Sequence, residues 1–257
     1  MGKETRLTRA TLVGYIADQL PEVGRPLLVA IDGPDAAGKT TLADEVADAL
    51  RARGRDAVRS GIDWFHHPAA HRHALGRTPQ TVWERTFDTA RVRREVLDPW
   101  LAGPGSMFVP KWWDVAADAP VDADPVAVPV AGVLVFDGVF VQKPEFVNAW
   151  DLVVFVDADE TERVHRMAVR DGTPDDPTHP DQVRYLEAQR AYQDLLDPRG
   201  SADLLIDNTD IDAPTLRSVS GWVREGDWLT RQIRVPARRL DLVSRIEDLL
   251  AGGESAH

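Results

Sequence analysis

The sequence predicts a three-layer α/β fold in which a mainly parallel β-sheet is flanked by helices, with additions at the N- and C-terminal ends. Segments of strand length that are apolar at every position recur along the chain, and helical segments with one apolar face separate them. A strand that is apolar throughout is expected to be covered on both faces, as in a parallel sheet. A glycine-rich turn between the first such strand and the next helix is typical of an anion-binding loop.

Length and composition limit the class of protein. The 257 residues suit one α/β domain with additions, and 43% hydrophobic residues are enough for a well-formed core. Acidic residues outnumber basic ones by 42 to 30, giving a formal net charge of −12, which argues against a nucleic-acid polymer as a partner. A small anionic ligand is compatible with this charge, because a local pocket can be positive on an acidic protein.

Residue types that are missing exclude further classes. The chain has no cysteine, which rules out disulfides, thiolate metal sites and a cysteine nucleophile. No apolar run approaches the roughly 20 residues that a membrane-spanning helix needs, and Met1–Arg6 lacks the apolar segment of a signal peptide. We therefore expect a cytoplasmic protein without a membrane partner, and the sequence leaves open whether it forms a homo-oligomer.

The first half of the chain alternates helices and strands. Apolar residues recur at helical spacing over Leu12–Leu20, and Pro21 stops this pattern. The segments predicted next are a buried strand at Leu27–Ile31, a helix at Lys39–Arg53, a short strand at Ala57–Val58, a helix at Thr86–Leu101 and a brief strand at Met107–Val109.

The second half continues the same alternation after a loop rich in Ala, Asp and Pro. The predicted segments are strands at Val133–Phe136, Leu152–Val156 and Leu204–Ile206, and helices at Glu160–Arg170 and Pro180–Leu196. A hairpin is predicted from Trp222–Val223 and Ile233–Val235 around Glu225–Asp227, and a final helix from Pro236. We expect one domain over residues 1–257, with a core at about 25–210 and a C-terminal extension at 211–257.

The glycine-rich turn matches a phosphate-binding motif. Gly33–Thr40 fits G-x-x-x-x-G-K-[ST] at every defined position, between a buried strand and an amphipathic helix. Lys39 supplies a charge for the β- and γ-phosphates, and the Thr40 hydroxyl can hold Mg²⁺. The residues predicted to bind the nucleotide are Gly33, Pro34, Asp35, Ala36, Ala37, Gly38, Lys39, Thr40 and Thr41. The sequence therefore predicts a P-loop NTPase fold that uses ATP and Mg²⁺.

Acidic residues at strand ends supply the remaining chemistry. Asp137 follows the apolar strand Val133–Phe136 and is predicted, with Thr40, to hold the metal, whereas Asp157 is a weaker candidate at the end of the next strand. Asp63 follows the short second strand, at the sheet edge where ligands of open α/β folds bind, and is predicted to be a general base. A cap or turn role is the alternative for each of these carboxylates.

Two arginines lie four positions apart on a predicted helix. Arg166 and Arg170 therefore share one helix face and could neutralise the charge that develops on a transferred phosphoryl group. The alternative is a pair of solvated ion pairs to nearby carboxylates such as Glu162.

The order of these features is similar to that of the uridine kinase and phosphoribulokinase family of P-loop small-molecule kinases. The chain resembles the uridine kinase-like members most, and the resemblance covers about residues 25–210. The matching segments are Gly33–Thr41, Asp63–His66, Phe87–Asp88, Pro110–Asp114, Phe136–Gly138, Arg166 with Arg170–Asp171, and Ala202–Asn208.

The resemblance implies roles for individual residues. Asp63 would take the proton of the acceptor hydroxyl, Asp137 would lie near the metal, and Arg166 and Arg170 would contact phosphates from a mobile lid. With Lys39, the implied catalytic set is Asp63, Arg166 and Arg170. The implied acceptor-binding residues are Asp63, Phe65, His66, Trp113 and Asp114.

The predicted activity is the ATP- and Mg²⁺-dependent phosphorylation of a small-molecule hydroxyl, with the 5′-hydroxyl of uridine or cytidine as the leading acceptor. Two departures from authentic uridine kinases support another acceptor, such as a sugar phosphate, pantothenate or a nucleoside monophosphate. The segment Asp171–Pro177 is acidic where those enzymes continue with arginines, and no histidine follows Trp113–Asp114. A third alternative is a non-catalytic, ATP-dependent switch.

Aromatic and histidine clusters lie in the region of the expected acceptor pocket. Five of the eight tryptophans fall between positions 64 and 113, where they could stack on a planar base, although core packing is the alternative for each. Four histidines lie between His66 and His73, but their spacing matches no zinc pattern, and we interpret them as an anion-facing or solvated surface.

Overall fold

The computed structural model describes residues 4–146, 148–218, 222–225 and 228–231 of the chain. The strands in these residues are β1 (Glu4–Arg6), β2 (Leu27–Asp32), β3 (Ala57–Gly61), β4 (Met107–Phe108), β5 (Trp113–Asp114), β6 (Ala119–Pro120), β7 (Val126–Ala127), β8 (Val133–Gly138), β9 (Leu152–Asp157), β10 (Leu204–Asp207), β11 (Thr215–Ser218), β12 (Trp222–Glu225) and β13 (Trp228–Arg231).

Helices connect these strands. They are α1 (Arg9–Asp18), α2 (Lys39–Ala52), α3 (Ala69–His73), α4 (Pro79–Arg85), α5 (Thr89–Val92), α6 (Asp98–Ala102), α7 (Glu160–Asp171), α8 (Pro180–Leu196) and α9 (Pro198–Ser201). A π-helical turn, Arg93–Leu97, joins α5 to α6, and 3₁₀ turns lie at Ile62–Phe65 and Pro144–Phe146.

Seven strands form the main sheet in the spatial order β1–β11–β10–β9–β2–β8–β3. Strands β10, β9, β2, β8 and β3 are parallel, and β11 and β1 are added antiparallel at one edge. The carboxyl ends of the parallel strands meet at one edge of the sheet, where α/β folds place their ligands. The predicted three-layer fold with a mainly parallel sheet is confirmed.

Alternate residues of the central strands enter two separate cores. In β2, Leu28 and Ala30 pack into the core that contains Phe65, whereas Leu27, Val29 and Ile31 pack into the core that contains α1 and α2. All six β2 residues are buried. Side chains of a strand alternate between its faces, so both faces of the sheet must be covered, as the uniformly apolar segments predict.

Most predicted elements are present with small shifts in their limits. The helix predicted from Thr86 begins at Thr89, because the carboxylate of Asp88 accepts the Arg91 backbone N–H at 2.9 Å and caps the helix there. The sequence analysis missed α3 and α4, which have five and seven residues and are too short to show a helical period.

The terminal additions differ in part from the prediction. Strand β11 lies beyond the expected core limit at residue 210, yet it pairs with β10 and β1 and so belongs to the main sheet. A hairpin is present, but its second strand is Trp228–Arg231. The predicted strand Ile233–Val235 and the helix from Pro236 lie outside the described residues. None of the helices in the described part of the chain is long and apolar enough to cross a membrane.

Candidate active site

The phosphate loop follows β2 and has a tightly turned backbone. Gly33 has φ +145° and Gly38 has φ +91°, conformations that residues with a Cβ rarely adopt. A Cβ at Gly33 would lie 2.0 Å from the Val156 carbonyl oxygen, and a Cβ at Gly38 would lie 2.5 Å from Nδ2 of Asn208. The loop can therefore approach the adjoining strand ends only with glycine at these positions.

Lys39 is the first residue of α2 and is held within the loop. Its side chain is buried, and Nζ donates a hydrogen bond to the Pro34 carbonyl oxygen at 2.6 Å. The ammonium group thus lies within the loop that precedes α2, and a helix N-terminus favours an anion at this point. This arrangement places a positive charge and a helix N-terminus at the same point.

Thr40 and Asp137 are brought together although they come from different elements. The Thr40 hydroxyl donates to Oδ2 of Asp137 at 2.6 Å. Oδ1 of Asp137 accepts from Nη2 of Arg59 at 2.7 Å, and Arg59 also pairs with Asp44 at 2.8 Å. Asp137 and Arg59 are both almost completely buried, so each compensates the charge of the other. Nothing in the sequence indicated Arg59, because a single arginine in a short strand matches no motif.

Asp63 lies in the 3₁₀ turn after β3, with its side chain open to a cavity beside the phosphate loop. Desolvation by the surrounding protein raises the pKa of Asp63 to about 6, and the negative charges of Asp35 and Asp137 add to this effect. The positive charges of Lys39 and Arg170 oppose it. A carboxylate that titrates near neutral pH is suited to accept a proton from a substrate.

A buried chain of polar side chains fixes Asp35 in the phosphate loop. Nε2 of Gln189, on α8, donates to Asp35 at 2.6 Å, and Oε1 of Gln189 accepts from Arg163, on α7, at 3.0 Å. Gln189 and Arg163 are both buried. These contacts with the phosphate loop are visible only in the structure, since the partners lie on different elements.

Asn208 braces the loop from the end of β10. Its Nδ2 donates to the Ala37 carbonyl oxygen at 2.8 Å, and its Oδ1 accepts from Arg9 of α1 at 3.0 Å. Asn208 is buried, so both hydrogen bonds are shielded from water. The segment Ala202–Asn208 was part of the family resemblance, but the contact with the loop is visible only in the structure.

Arg166 and Arg170 have different surroundings. Arg166 donates to the carbonyl oxygens of Thr209 at 2.8 Å and Asn208 at 3.1 Å, and it pairs with Glu162 at 2.9 Å. Arg170 lines the cavity and pairs with the adjacent Asp171 at 2.7 Å. Nη1 of Arg166 also donates to the Ala36 carbonyl oxygen of the phosphate loop at 3.4 Å. Arg166 therefore ties α7 to the end of β10 and to the phosphate loop, and of the two arginines only Arg170 lines the cavity.

The other strand-end carboxylates have structural partners. Asp157 pairs with Arg199 at 2.5 Å, and burial raises its pKa. Asp32 is fully buried and accepts from Tyr192 at 2.5 Å and from Gln142 at 2.9 Å. Burial raises the pKa of Asp32 also. Both carboxylates position the ends of their strands.

The cavity beside the loop has a volume of about 600 Å³ and contains Asp35 and Asp63 in its lining. Nδ1 of His66 donates to the Asp63 carbonyl oxygen at 2.8 Å, and its ring meets Phe87 edge-on with centroids 4.7 Å apart. Burial lowers the pKa of His66 to about 4, so the imidazole is neutral at pH 7. His66 thus lies where the sequence predicted an acceptor-binding residue.

Three other residues predicted to bind the acceptor do not line this cavity. Phe65 is fully buried in the core that also contains Phe136, because the 3₁₀ turn directs it inward. Trp113 is buried in β5, and Asp114 accepts the backbone N–H groups of Ala116 and Ala117 at 3.0 and 3.1 Å. Asp114 is therefore a turn-forming residue, and we do not retain these three in the acceptor site.

The five tryptophans between positions 64 and 113 are also absent from the cavity lining. Trp100 is buried, and Trp64, Trp83 and Trp112 are partly buried against the same core. Trp112 in addition packs under the guanidinium of Arg91, 3.7 Å from the ring centroid. The core alternative therefore holds for these tryptophans. The aromatic rings of the cavity belong to His66, His73, Phe87, Phe140 and Tyr185.

The histidine cluster does not form a metal site. His67 and His71 stack with ring centroids 4.2 Å apart. Within the described residues, no group of three or more histidine, aspartate or glutamate side chains is arranged to hold a metal ion.

A phosphate loop between a central parallel strand and its following helix, in a three-layer α/β sandwich, defines the P-loop nucleotide-binding fold. The structure is similar to a possible uridine kinase from Bacillus stearothermophilus, with a TM-score of 0.60 and 20% identity over 76% of this chain and 97% of that one. It is also similar to a candidate fructose transport system kinase from Silicibacter sp. TM1040, with a TM-score of 0.56 and 22% identity over 73% and 95% of the two chains.

A third similar structure is the YGR205w protein, with a TM-score of 0.58 and 12% identity over 84% of this chain and 100% of that one. No protein-family model and no curated protein matches the chain. The structural likeness establishes the fold: the chain has the P-loop kinase fold, as the resemblance in sequence predicted.

Proposed function

We propose that the protein is a kinase that transfers the γ-phosphoryl group of ATP to a hydroxyl of a small molecule, with Mg²⁺ as cofactor. The observation that carries this proposal is the position of Asp63, a carboxylate with a pKa of about 6, in a cavity that also reaches the phosphate loop at Asp35. A nucleotide-binding site alone would not need a proton acceptor beside it.

The residues of the loop fit a nucleoside triphosphate and a divalent cation. The backbone of Gly33–Thr41 and the ammonium of Lys39 would hold the phosphates, because buried N–H groups and a helix N-terminus favour an anion. Thr40 and Asp137 offer the oxygen ligands that Mg²⁺ prefers. When bound, Mg²⁺ neutralises charge on the β- and γ-phosphate oxygens.

The chain's own residues would then perform the transfer. The Asp63 carboxylate accepts the proton of the acceptor hydroxyl, whose oxygen forms a bond to the γ-phosphorus. The bond between that phosphorus and the bridging oxygen of the β-phosphate breaks, and ADP leaves. Lys39 and Arg170, whose charges both act on Asp63, stabilise the negative charge on the transferred group.

Uridine or cytidine remains the acceptor that the resemblance in sequence implies. The volume of the cavity, about 600 Å³, is large enough for a small-molecule acceptor of this kind, and the rings of Phe87 and Tyr185 could contact a planar base. The departures noted in Asp171–Pro177 and after Trp113–Asp114 support other acceptors.

An ADP-release assay tests the proposal. Nucleosides, sugars, sugar phosphates and pantothenate are offered with MgATP, and stimulation by one of them is the expected result. Asp63→Asn should lower kcat by about 100- to 10,000-fold, the usual size of a general-base effect, while ATP affinity changes less than about twofold. ATP binding without acceptor-stimulated ADP release across the panel would instead favour the non-catalytic switch.

A further inference from the structure

A group of three arginines lines the same cavity as Asp63. Arg72 lies on α3, Arg77 lies between α3 and α4, and Arg184 lies on α8. The charges that act most strongly on the Asp63 carboxylate are those of Asp35, Lys39, Asp137 and Arg170. The charges that act on the Arg184 guanidinium include those of Arg77 and Arg72. The cavity therefore has two charged centres, one at the phosphate loop and one at these arginines.

Arg184 is the least compensated member of the group. It is only 8% exposed, and its Nε has no hydrogen-bond partner among the residues that the structure describes. Its Nη2 donates to the Tyr185 hydroxyl at 2.9 Å, and its guanidinium lies 4.4 Å from the centroid of that ring. Among the described residues no carboxylate forms an ion pair with Arg184, although the charge of Asp181 acts on it. A buried guanidinium with an unsatisfied N–H is costly unless a ligand supplies the acceptor.

The acidic residues nearby pair with the group only at long distances. Asp181 lies 3.5 Å from Arg77, and Asp118 lies 3.7 Å from Arg72, both at the long end of an ion-pair distance. Asp171, which also lines the cavity, is paired with Arg170. Burial lowers the pKa of His73, and the charges of Arg72, Arg77 and Arg184 lower it further. The three guanidiniums therefore all act on this residue.

We infer that Arg184, Arg72 and Arg77 bind an anionic group, a carboxylate or a phosphate monoester, and that this group belongs to the acceptor. The inference rests on the proposed function, because the acceptor hydroxyl must reach Asp63 in the same cavity. An arginine fork binds either anion through two parallel hydrogen bonds. An uncharged nucleoside would leave Arg184 uncompensated, so the preferred acceptor is an acidic polyol or a sugar phosphate.

Paired acceptors test the charge requirement. Ribose is compared with ribose 5-phosphate, glycerol with glycerate, and pantothenol with pantothenate, using ADP release under MgATP saturation. The expected result is that kcat/KM is about 10- to 100-fold higher for the anionic member of at least one pair, the size of a charged hydrogen bond. The pair that responds distinguishes phosphate from carboxylate. Turnover of neutral acceptors only would overturn the inference and leave the proposed kinase intact.

Substitutions assign the effect to the arginines. Arg184→Met keeps the length of the side chain and removes the charge, and it should raise KM for the anionic acceptor about 10- to 100-fold with kcat little changed. Arg190→Met is the matched control, since Arg190 lies on the same helix, pairs with Glu160 and does not line the cavity. Arg77→Gln, at a half-exposed position, gives a second measurement that does not depend on a buried substitution.

A binding measurement separates the two proposals. Inorganic phosphate is titrated by calorimetry while the phosphate loop is saturated with Mg²⁺ and a non-hydrolysable ATP analogue. Phosphate should bind the wild type and the Arg190→Met protein equally, and about tenfold more weakly to Arg184→Met. If phosphate binding depends on Arg184 but no acceptor is phosphorylated, the anion site stands and the proposed kinase fails. If Arg184→Met binds phosphate as well as the wild type does, the anion site is wrong.

Discussion

The Thr40 hydroxyl donates a hydrogen bond of 2.6 Å to the Asp137 carboxylate, although the two residues are 97 positions apart in the sequence. Thr40 belongs to the first turn of α2 and Asp137 to β8, which is paired with β2 in the sheet. The parallel pairing therefore brings the phosphate loop and the strand-end acid to one point. Arg59 lies on β3, the other neighbour of β8 in the sheet, and donates a hydrogen bond to the other carboxylate oxygen of Asp137 at 2.7 Å.

Removing the charge of Asp137 should affect both metal use and stability. In Asp137→Asn, we expect the Mg²⁺ concentration for half-maximal activity to rise at least about tenfold, since a carboxylate ligand is lost. Arg59 would lose its buried partner and keep only the exposed Asp44, and breaking a buried ion pair costs up to about 3–5 kcal/mol of unfolding free energy. Metal titration of ADP release and urea unfolding measure the two effects.

Asp44→Asn is the control for this substitution. Asp44 is the exposed partner of Arg59, with its side chain 61% accessible, so its loss should change stability by less than about 1 kcal/mol. Equal effects of the two variants on metal dependence would contradict the metal role of Asp137.

The activity should depend on pH through Asp63. Because the pKa of Asp63 is about 6, the base is protonated and inactive below that pH. We expect kcat/KM to rise through an apparent pKa near 6 and to level off above pH 7 in a pH–rate profile. A profile that is flat between pH 5 and pH 8 would argue that Asp63 is not the base.

The same pKa shift predicts that the charged Asp63 destabilises the fold. The folded state holds the Asp63 proton more tightly than the unfolded chain does, since the pKa is raised from 3.8 to about 6. The loss of unfolding free energy caused by the charged Asp63 is thus absent below about pH 4, grows between about pH 4 and pH 6, and is complete above about pH 6. The Tm of Asp63→Asn should exceed that of the wild type at pH 8, and this difference should disappear at pH 4. A constant difference across this range would contradict the shift.

The close contact between Gly38 and Asn208 can be separated from backbone strain. Gly38→Ala would place a Cβ 2.5 Å from Nδ2 of Asn208 at a φ of +91°, whereas Gly54→Ala has a φ of +77° with open space around it. In both variants the left-handed backbone conformation should lower the unfolding free energy by about 1 kcal/mol. Only Gly38→Ala should also lose ATP affinity, measured by calorimetry. Equal ATP affinity in both variants would show that the Asn208 brace does not shape the loop.

The cavity lining predicts which aromatic residues affect the acceptor. Phe87→Leu should raise KM for the acceptor several-fold, because Phe87 lines the cavity and packs against His66. Trp113→Phe should leave that KM unchanged, since Trp113 is buried outside the cavity and its Nε1 has no partner in the described residues. An increase in KM in Trp113→Phe would restore the sequence-based assignment of this residue.

The sequence by itself determined the order of strands and helices, the phosphate loop and the acids at strand ends. These features follow from short-range patterns: apolar runs set buried strands, and Gly33 to Thr40 carry a motif whose backbone geometry is local. Asp63 and Asp137 were found because the carboxyl ends of parallel strands necessarily lie along one edge. His66 was proposed only because the segment Asp63–His66 resembles the kinase family.

Only the tertiary structure decided which side chains meet across elements. Arg59 pairs with Asp137, Asn208 holds the Ala37 carbonyl, and Arg184 enters the cavity from a helix more than a hundred residues beyond Asp63. Whether an aromatic side chain fills the core or lines a site depends on the direction in which its segment packs, which spacing does not specify. For this reason Phe65 and Trp113 were assigned to the acceptor site from sequence, while the structure buries both side chains.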